Sequence, residues 1–497
     1  MSRNVAIFLV LVLISSIYLF LRLSHIDTIE FGYDQPRLAT QVQEYLRHGN
    51  FLNAQKFALE SPWGNLSWGP ILIWFFAPFI AFSTNPVSAS ILVSIFNLVS
   101  VLAIFVVGYK FFSLKVAIIS SLFLAVHPWW IVFSRMIYQP TPVVSFVSIS
   151  ILITFLALKK KSKFIIFLAF LWGALIQLYL ICFSFVFTSF WAVVISLKGI
   201  SKRYFFIGIV LAGVIFVPSL IYYRNNNKFG SFFKSETKFE DKNMSIIQRS
   251  ADVASHYFNF IGGGDFEYQL GYGYKKFSDI NSQLLKLGLV MKFSICGALI
   301  YFAIKALKEK KSFNKLLLLA WAVAPVWFLI LFKIPIVPRY FLISLPALAL
   351  IFGITIDDIA KNGWVILFVF PFLILWFAGF SFSYFRFIEN YTYPNGFLSH
   401  YSDIPYSFLD KSINFIDKDA LGRGYFEYSL SNDAKRPFGF YFNWATAYVW
   451  REQLKRSEEY SDFEAHYLLI YSNEKPYPGF VKLNQFGPYI IYGVIDR

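Results

Sequence analysis

What most constrains this chain is a series of apolar runs, each about as long as a bilayer is thick, separated by clusters of lysine and arginine. A spanning helix needs roughly 20 apolar residues, because a hydrocarbon core of about 30 Å is crossed at 1.5 Å per residue. Such runs occupy 5–23, 87–109, 114–131, 141–158, 164–178, 180–197, 204–223, 285–306, 315–332, 339–356 and 363–385. Only 15% of the residues are charged and Phe occurs 60 times, whereas soluble domains carry about 25% charge. The expected fold is a polytopic α-helical membrane protein with about 11 transmembrane helices. A net charge of +16 on a soluble chain would suggest nucleic acid. Here the lysines bunch between the apolar runs, where membrane topology explains them, so no nucleic-acid partner is expected.

The same charges orient the chain. Lys159, Lys160, Lys161 and Lys163 precede the uncharged stretch 164–197, and Lys198, Lys202 and Arg203 follow it. Both clusters belong in the cytoplasm by the positive-inside rule, so an even number of crossings must separate them. Two short helices turning near Gln177 satisfy that. Lys110, Lys115 and the cluster from Lys305 to Lys315 fall on the same side. The loop 224–284 carries eight basic and seven acidic residues and the segment 386–497 twelve and fourteen; these balanced segments belong outside. The first run is read as a retained helix with a cytoplasmic amino terminus, since a basic start at Arg3 is followed by no small-x-small cleavage site.

Residues 68–82 (WGPILIWFFAPFIAF) are not read as a twelfth crossing, because with Arg3 inside, a span there would put every later lysine cluster on the opposite face. Fifteen residues reach about 22 Å at helical rise, and Pro70 and Pro78 interrupt them. A re-entrant or interfacial helix keeps the first outer loop, 24–86, on one face with the later outer loops.

Chemistry is expected in those outer loops. In HIDTIEFGYDQPRLATQVQEYLRHGNF, Pro36 suits a helix start and Gly49 its end. Leu38, Val42, Tyr45 and Leu46 form an apolar stripe on a helix lying along the membrane surface. Asp34 stands at its start, as a helix cap or as a general base for an acceptor hydroxyl; Asp27 and Glu30 are near enough to compete. In HPWWIVFSRMIYQPTP, Trp129 and Trp130 suit the interfacial aromatic belt, and His127 suits a helix end rather than a metal. Arg135, Lys333 and Arg339 lie outside against the topological bias. A guanidinium there can bind a phosphate bidentately or snorkel to the interface. GGGD at 262–265 lacks the lysine and serine of a P-loop and is read as a lid or turn. Cys182 and Cys296, within apolar runs, are read as small core hydrophobes. From 389 the chain turns polar with interleaved aromatics: 466–472, 481–483 and 489–495 are expected strands and 433–456 contains a helix. Residues 389–497 therefore form a small C-terminal α/β domain on the outer face, beside a 1–388 membrane domain.

The order of these features resembles the GT-C superfamily of membrane glycosyltransferases, near glycosyltransferase family 39 and the ArnT and protein O-mannosyltransferase group. The segments that carry the resemblance are FGYDQPRLA, WGPILIWFFAPFIAF, HPWWIVFSR, the Gln177-Leu178-Tyr179 turn and PRYFLISLP, across roughly residues 1–385. It implies a polyprenyl-phosphate sugar donor and transfer, with inversion, to a lipid, glycan or protein acceptor. The family's first-loop acid falls on Asp34 as base, and Arg135, Arg339, Tyr340, Gln177 and Arg37 are the implied substrate-binding residues. Asp34-Gln35 stands where many relatives carry an acidic pair, so no metal and no other cofactor is expected.

The alternatives are a transporter or lipid-sugar flippase, and a non-catalytic scaffold. A transporter should show intramembrane charges or repeat symmetry, whereas these central spans are nearly free of ionisable residues. A scaffold has no use for Asp34.

Overall fold

The computed structural model describes residues 2–32, 34–58, 69–159, 163–196, 202–226, 244–264, 266–270, 273–309, 313–360, 369, 371–390, 405–436, 440, 442–456, 465–471 and 474–495. Parts of the loop 224–284, expected on the outer face, including 227–243 and Asp265 of the GGGD run, lie outside the described residues.

The chain is mostly helical. It opens with α1 (Arg3–Leu23), α2 (Asp34–His48), α3 (Ile71–Phe82), α4 (Pro86–Phe111), α5 (Leu114–Val126), α6 (Pro128–Phe133), α7 (Val143–Leu158), α8 (Phe164–Leu178), α9 (Cys182–Ile195) and α10 (Lys202–Asn225). Later come Ile246–Ile261, Ser282–Lys308, Phe313–Leu331, Leu345–Ile359 and Gly379–Asn390. Among the described residues seven helices are long and apolar enough to cross a membrane. Four expected spans are shorter: α5, α7, α8 and α9 have 13, 16, 15 and 14 residues. The chain breaks them at His127-Pro128, Pro142 and the Tyr179 turn. The ambiguous run 68–82 contributes the 12-residue α3, which packs against α2, α4 and α8.

Burial separates lipid-facing from protein-facing sides. Phe8, Leu13 and Phe20 of α1 and Phe206 and Val210 of α10 are exposed, an apolar area that a water-soluble surface would not carry. The segment 338–359 runs through the centre and is buried along nearly its whole length. Trp129 and Trp130 are also fully buried, which corrects their assignment to the aromatic belt. Their indole N–H groups have protein acceptors instead, the Gly264 carbonyl at 2.7 Å and the Ser100 hydroxyl at 3.2 Å. Gly262–Gly264 is a packed turn and not a lid. Gly263 has φ +74°, a conformation that favours glycine, and a Cβ there would press on Phe377 and Pro128. Cys182 is buried in the core, whereas Cys296 is partly exposed.

The C-terminal domain carries a four-stranded sheet in the order β1-β2-β4-β3. Its strands are β1 (Ser429–Ser431), β2 (Ala465–Tyr471), β3 (Val481–Phe486) and β4 (Tyr489–Ile495). β1 is parallel to β2, and β4 is antiparallel to both β2 and β3. Helix Tyr406–Gly422 covers the sheet, burying Leu409, Ile413, Ile416 and Ala420 at helical spacing. Within 433–456 the helical part is Trp444–Tyr448 and the turn that continues it to Gln453.

Candidate active site

Asp34 is the first residue of α2, where the positive end of the helix dipole favours a carboxylate. Leu38, Ala39 and Val42 of this helix are fully buried, and Gln35 and Gln43 are buried too. The covered face is thus wider than the expected stripe, and Leu46 is exposed. The reason is that α2 does not lie alone on a membrane surface. It is covered by α3 on one side and by the C-terminal domain on another.

Three side chains meet the Asp34 carboxyl. Arg37, one turn on, places Nη1 3.8 Å from Oδ1. Tyr138 hydrogen-bonds to it, and Arg339 acts on it electrostatically. Burial pushes the carboxyl above its ordinary pKa, while Arg339, Arg37 and the Tyr138 hydrogen bond oppose that rise. Such a carboxylate is more basic than one in water, and basicity is what proton abstraction from a hydroxyl requires.

Arg339 comes from the short 3-10 helix Pro338–Ser344. Its Nε donates to the Tyr179 hydroxyl at 3.1 Å, and its guanidinium lies 5.4 Å from the centre of the Tyr138 ring. Tyr340 stacks at a tilt on Tyr179, with ring centroids 5.3 Å apart. Four separate segments therefore converge: the start of α2, the loop after α6, the turn between α8 and α9, and the 338–344 helix. Asp34, Arg37, Arg339 and Tyr340 belong to this cluster, and so do Tyr138 and Tyr179, which were not among the expected site residues. Both stood inside the segments singled out in the sequence, and tyrosines beside outer-loop arginines were the available signal.

The other expected residues are placed differently. The Gln177 side-chain amide donates to the Ile215 carbonyl at 2.9 Å, and the Gln177 backbone carbonyl accepts from the Gly69 N–H at 3.0 Å. It shapes the turn that presents Tyr179. Gly69 admits no side chain, because a Cβ would collide with Gln177. Arg135 is fully buried and directed at the end of α1. It donates to the carbonyls of Arg22, Ser24 and His25 and to the Thr28 hydroxyl, at 2.7–3.2 Å. Its guanidinium also lies over the Phe385 ring at 4.1 Å. Helix ends leave carbonyls without intrahelical partners, and Arg135 meets one of these in α1, that of Arg22, together with those of Ser24 and His25 in the turn that follows. Arg22, also fully buried, does the same for α5 through the Ala125 carbonyl at 2.6 Å. His25 makes this turn with φ +53°. Lys333 is exposed, also with positive φ. Asp27 and Glu30, the competing acids, lie within the electrostatic reach of Arg135.

Broken apolar helices bearing a polar cluster where their interrupted ends meet, with a small sheet domain packed against α2, make a multi-pass helical membrane fold of the kind seen in ArnT. The likeness is specifically to ArnT. ArnT from Cupriavidus metallidurans in the apo state matches over 99% of this chain and 99% of its own, with a TM-score of 0.60 and 11% identity. The same protein bound to undecaprenyl phosphate matches over 97% and 98%, with a TM-score of 0.58 and 12% identity. The apo Archaeoglobus fulgidus oligosaccharyltransferase is a looser likeness, with a TM-score of 0.43 and 15% identity over 83% of this chain and 58% of its own. No protein-family model and no curated protein sequence matches the chain.

Proposed function

We propose that this protein is a membrane glycosyltransferase that moves a sugar from a polyprenyl-phosphate-linked donor to an acceptor hydroxyl on the outer face of the bilayer. The observation that carries this reading is the joining of Asp34 to Arg339 through Tyr138. A base and a phosphate-binding cation stand in one half-buried cluster, in a fold shared with a protein solved with undecaprenyl phosphate.

In this reading the acceptor hydroxyl is held at Asp34. Its oxygen attacks the anomeric carbon as the bond from that carbon to the phosphate oxygen breaks. Asp34 takes the hydroxyl proton, and polyprenyl phosphate departs with the bonding electrons. Attack opposite the leaving group inverts the anomeric centre. The developing phosphate charge is the larger electrostatic demand, and a cation oriented beforehand meets it without reorganisation. Tyr179 supplies that orientation by fixing Arg339 Nε. Arg339 is assigned to the phosphate in preference to Arg135, whose nitrogens are directed at backbone carbonyls. The outer loops and the C-terminal domain face away from the cytoplasm, in keeping with the lysine clusters.

The reading is tested with purified protein in lipid nanodiscs, given polyprenyl-phosphate sugars and candidate hydroxyl acceptors. Release of free polyprenyl phosphate with appearance of a glycosylated acceptor is expected. Movement of the intact lipid-linked sugar across a bilayer without its consumption would instead establish a flippase.

A further inference from the structure

The C-terminal domain grips α2 on both sides of Asp34. Before it, Phe31 is buried edge-on against Tyr406 and Tyr448, with ring centroids 5.6 and 5.3 Å apart. Beside it the Ile29 carbonyl accepts from the Tyr406 N–H at 2.9 Å, and Glu30 bridges to Pro405. After it, the Arg37 guanidinium lies 5.8 Å from the Trp444 ring. In the last turn of α2, Arg47 Nη2 donates to both carboxylate oxygens of Glu452, at 2.7 and 2.8 Å. Tyr448, one turn before Glu452, donates to the Thr84 carbonyl at 2.7 Å.

This ion pair differs from an ordinary surface pair. The Glu452 side chain is only 7% exposed, so removing its partner leaves a nearly buried carboxylate whose other ion-pair partner among the described residues is Lys455, with Nζ at 3.7 Å. Arg47 also meets Glu44 at 3.4 Å within its own helix. A helix held at its entry by an aromatic wedge and at its exit by a charge pair cannot pivot. Asp34 sits between those two holds, so a pivot would move its carboxylate relative to Tyr138 and Arg339.

We propose that Arg47 and Glu452 are positioning residues, a latch through which the C-terminal domain sets Asp34 against Arg339. The latch gives the domain a role in the transfer step that needs no contact with the reacting atoms. The inference rests on the reading of Asp34 as the base.

The experiment compares wild type, Glu452→Gln, Arg47→Met, the double variant and Asp34→Asn as full chains in lipid nanodiscs. It reads kcat and donor KM with a polyprenyl-phosphate sugar, and amide hydrogen exchange across residues 34–48. The latch predicts that each single latch variant lowers kcat about 10- to 100-fold, the penalty of small misplacement, with donor KM unchanged. Exchange at the start of α2 rises in both. The double variant is no slower than the slower single, because the two residues act as one unit. Losses that multiply in the double variant, or a kcat loss without faster exchange in α2, would overturn the latch. Full turnover by Asp34→Asn would remove the base reading alone. The latch is then decided by exchange: a rise at 34–40 in the single variants upholds it, and unchanged exchange overturns it.

Discussion

Arg339 donates from Nε to the Tyr179 hydroxyl at 3.1 Å, which joins two segments 160 residues apart at the position where the donor phosphate is proposed to lie. Arg339 is half-buried. Tyr179 is 4% exposed, and the tilted stack of Tyr340 on its ring holds the hydroxyl in place.

Tyr179→Phe should therefore weaken donor use without removing the charge. The expected result is a rise in donor KM of about tenfold, the value of one hydrogen bond to a charged group, with a smaller change in kcat. Arg339→Lys should be more damaging, because an ammonium cannot reproduce the planar fork that grips phosphate. Donor titrations on the two variants check the order.

Tyr138→Phe tests the electrostatics of the base. The Tyr138 hydrogen bond lowers the Asp34 pKa against the burial that raises it. Its removal should raise that pKa further, so the acidic limb of the pH-rate profile moves to higher pH. Arg37→Gln should move it the same way, since Arg37 also lowers the pKa. A limb that stays in place or moves to lower pH would show that another group titrates.

Arg135→Ala should act on stability and not on donor affinity. It leaves three carbonyls at the end of α1 without this donor, and each buried polar group left unsatisfied costs about 1–3 kcal/mol. A clear fall in thermal stability is expected, with donor KM unchanged in the folded fraction. A raised donor KM at undiminished stability would return Arg135 to the phosphate.

Gly69→Ala should disturb the site from a distance. The new Cβ meets Gln177, two residues before Tyr179, and must shift either α3 or the turn. Lower stability together with a higher donor KM is expected, measured by unfolding and by donor titration.

The sequence and the structure agree where one physical rule dominates. Apolar length and lysine placement located the helices, because bilayer thickness leaves few alternatives. Asp34, Arg37, Arg339 and Tyr340 could be picked out as polar groups in the segments that join apolar runs. The purpose of Arg135 was not legible, because phosphate binding and capping of a distant helix make the same demand on local sequence. Only the path of α1 past residue 135 decides between them. Trp129 and Trp130 were misplaced for a related reason: at a membrane boundary an indole suits the interface or the core, and tertiary packing chose the core. The helix Tyr406–Gly422 does carry the signal, with Leu409, Ile413, Ile416 and Ala420 on one face. The interleaved aromatics of the tail mask that periodicity. The Arg47–Glu452 pair spans 405 residues, and no local pattern announces it.

The central claim is that Asp34 takes the acceptor proton while Arg339 holds the departing phosphate. The most direct test measures polyprenyl-phosphate binding and single-turnover sugar transfer side by side, in wild type, Asp34→Asn and Arg339→Ala. Asp34→Asn should bind the lipid phosphate as tightly as wild type yet transfer at least about 100-fold more slowly, whereas Arg339→Ala should lose the binding itself. Transfer at the wild-type rate by Asp34→Asn, or undiminished lipid-phosphate binding by Arg339→Ala, would contradict the account.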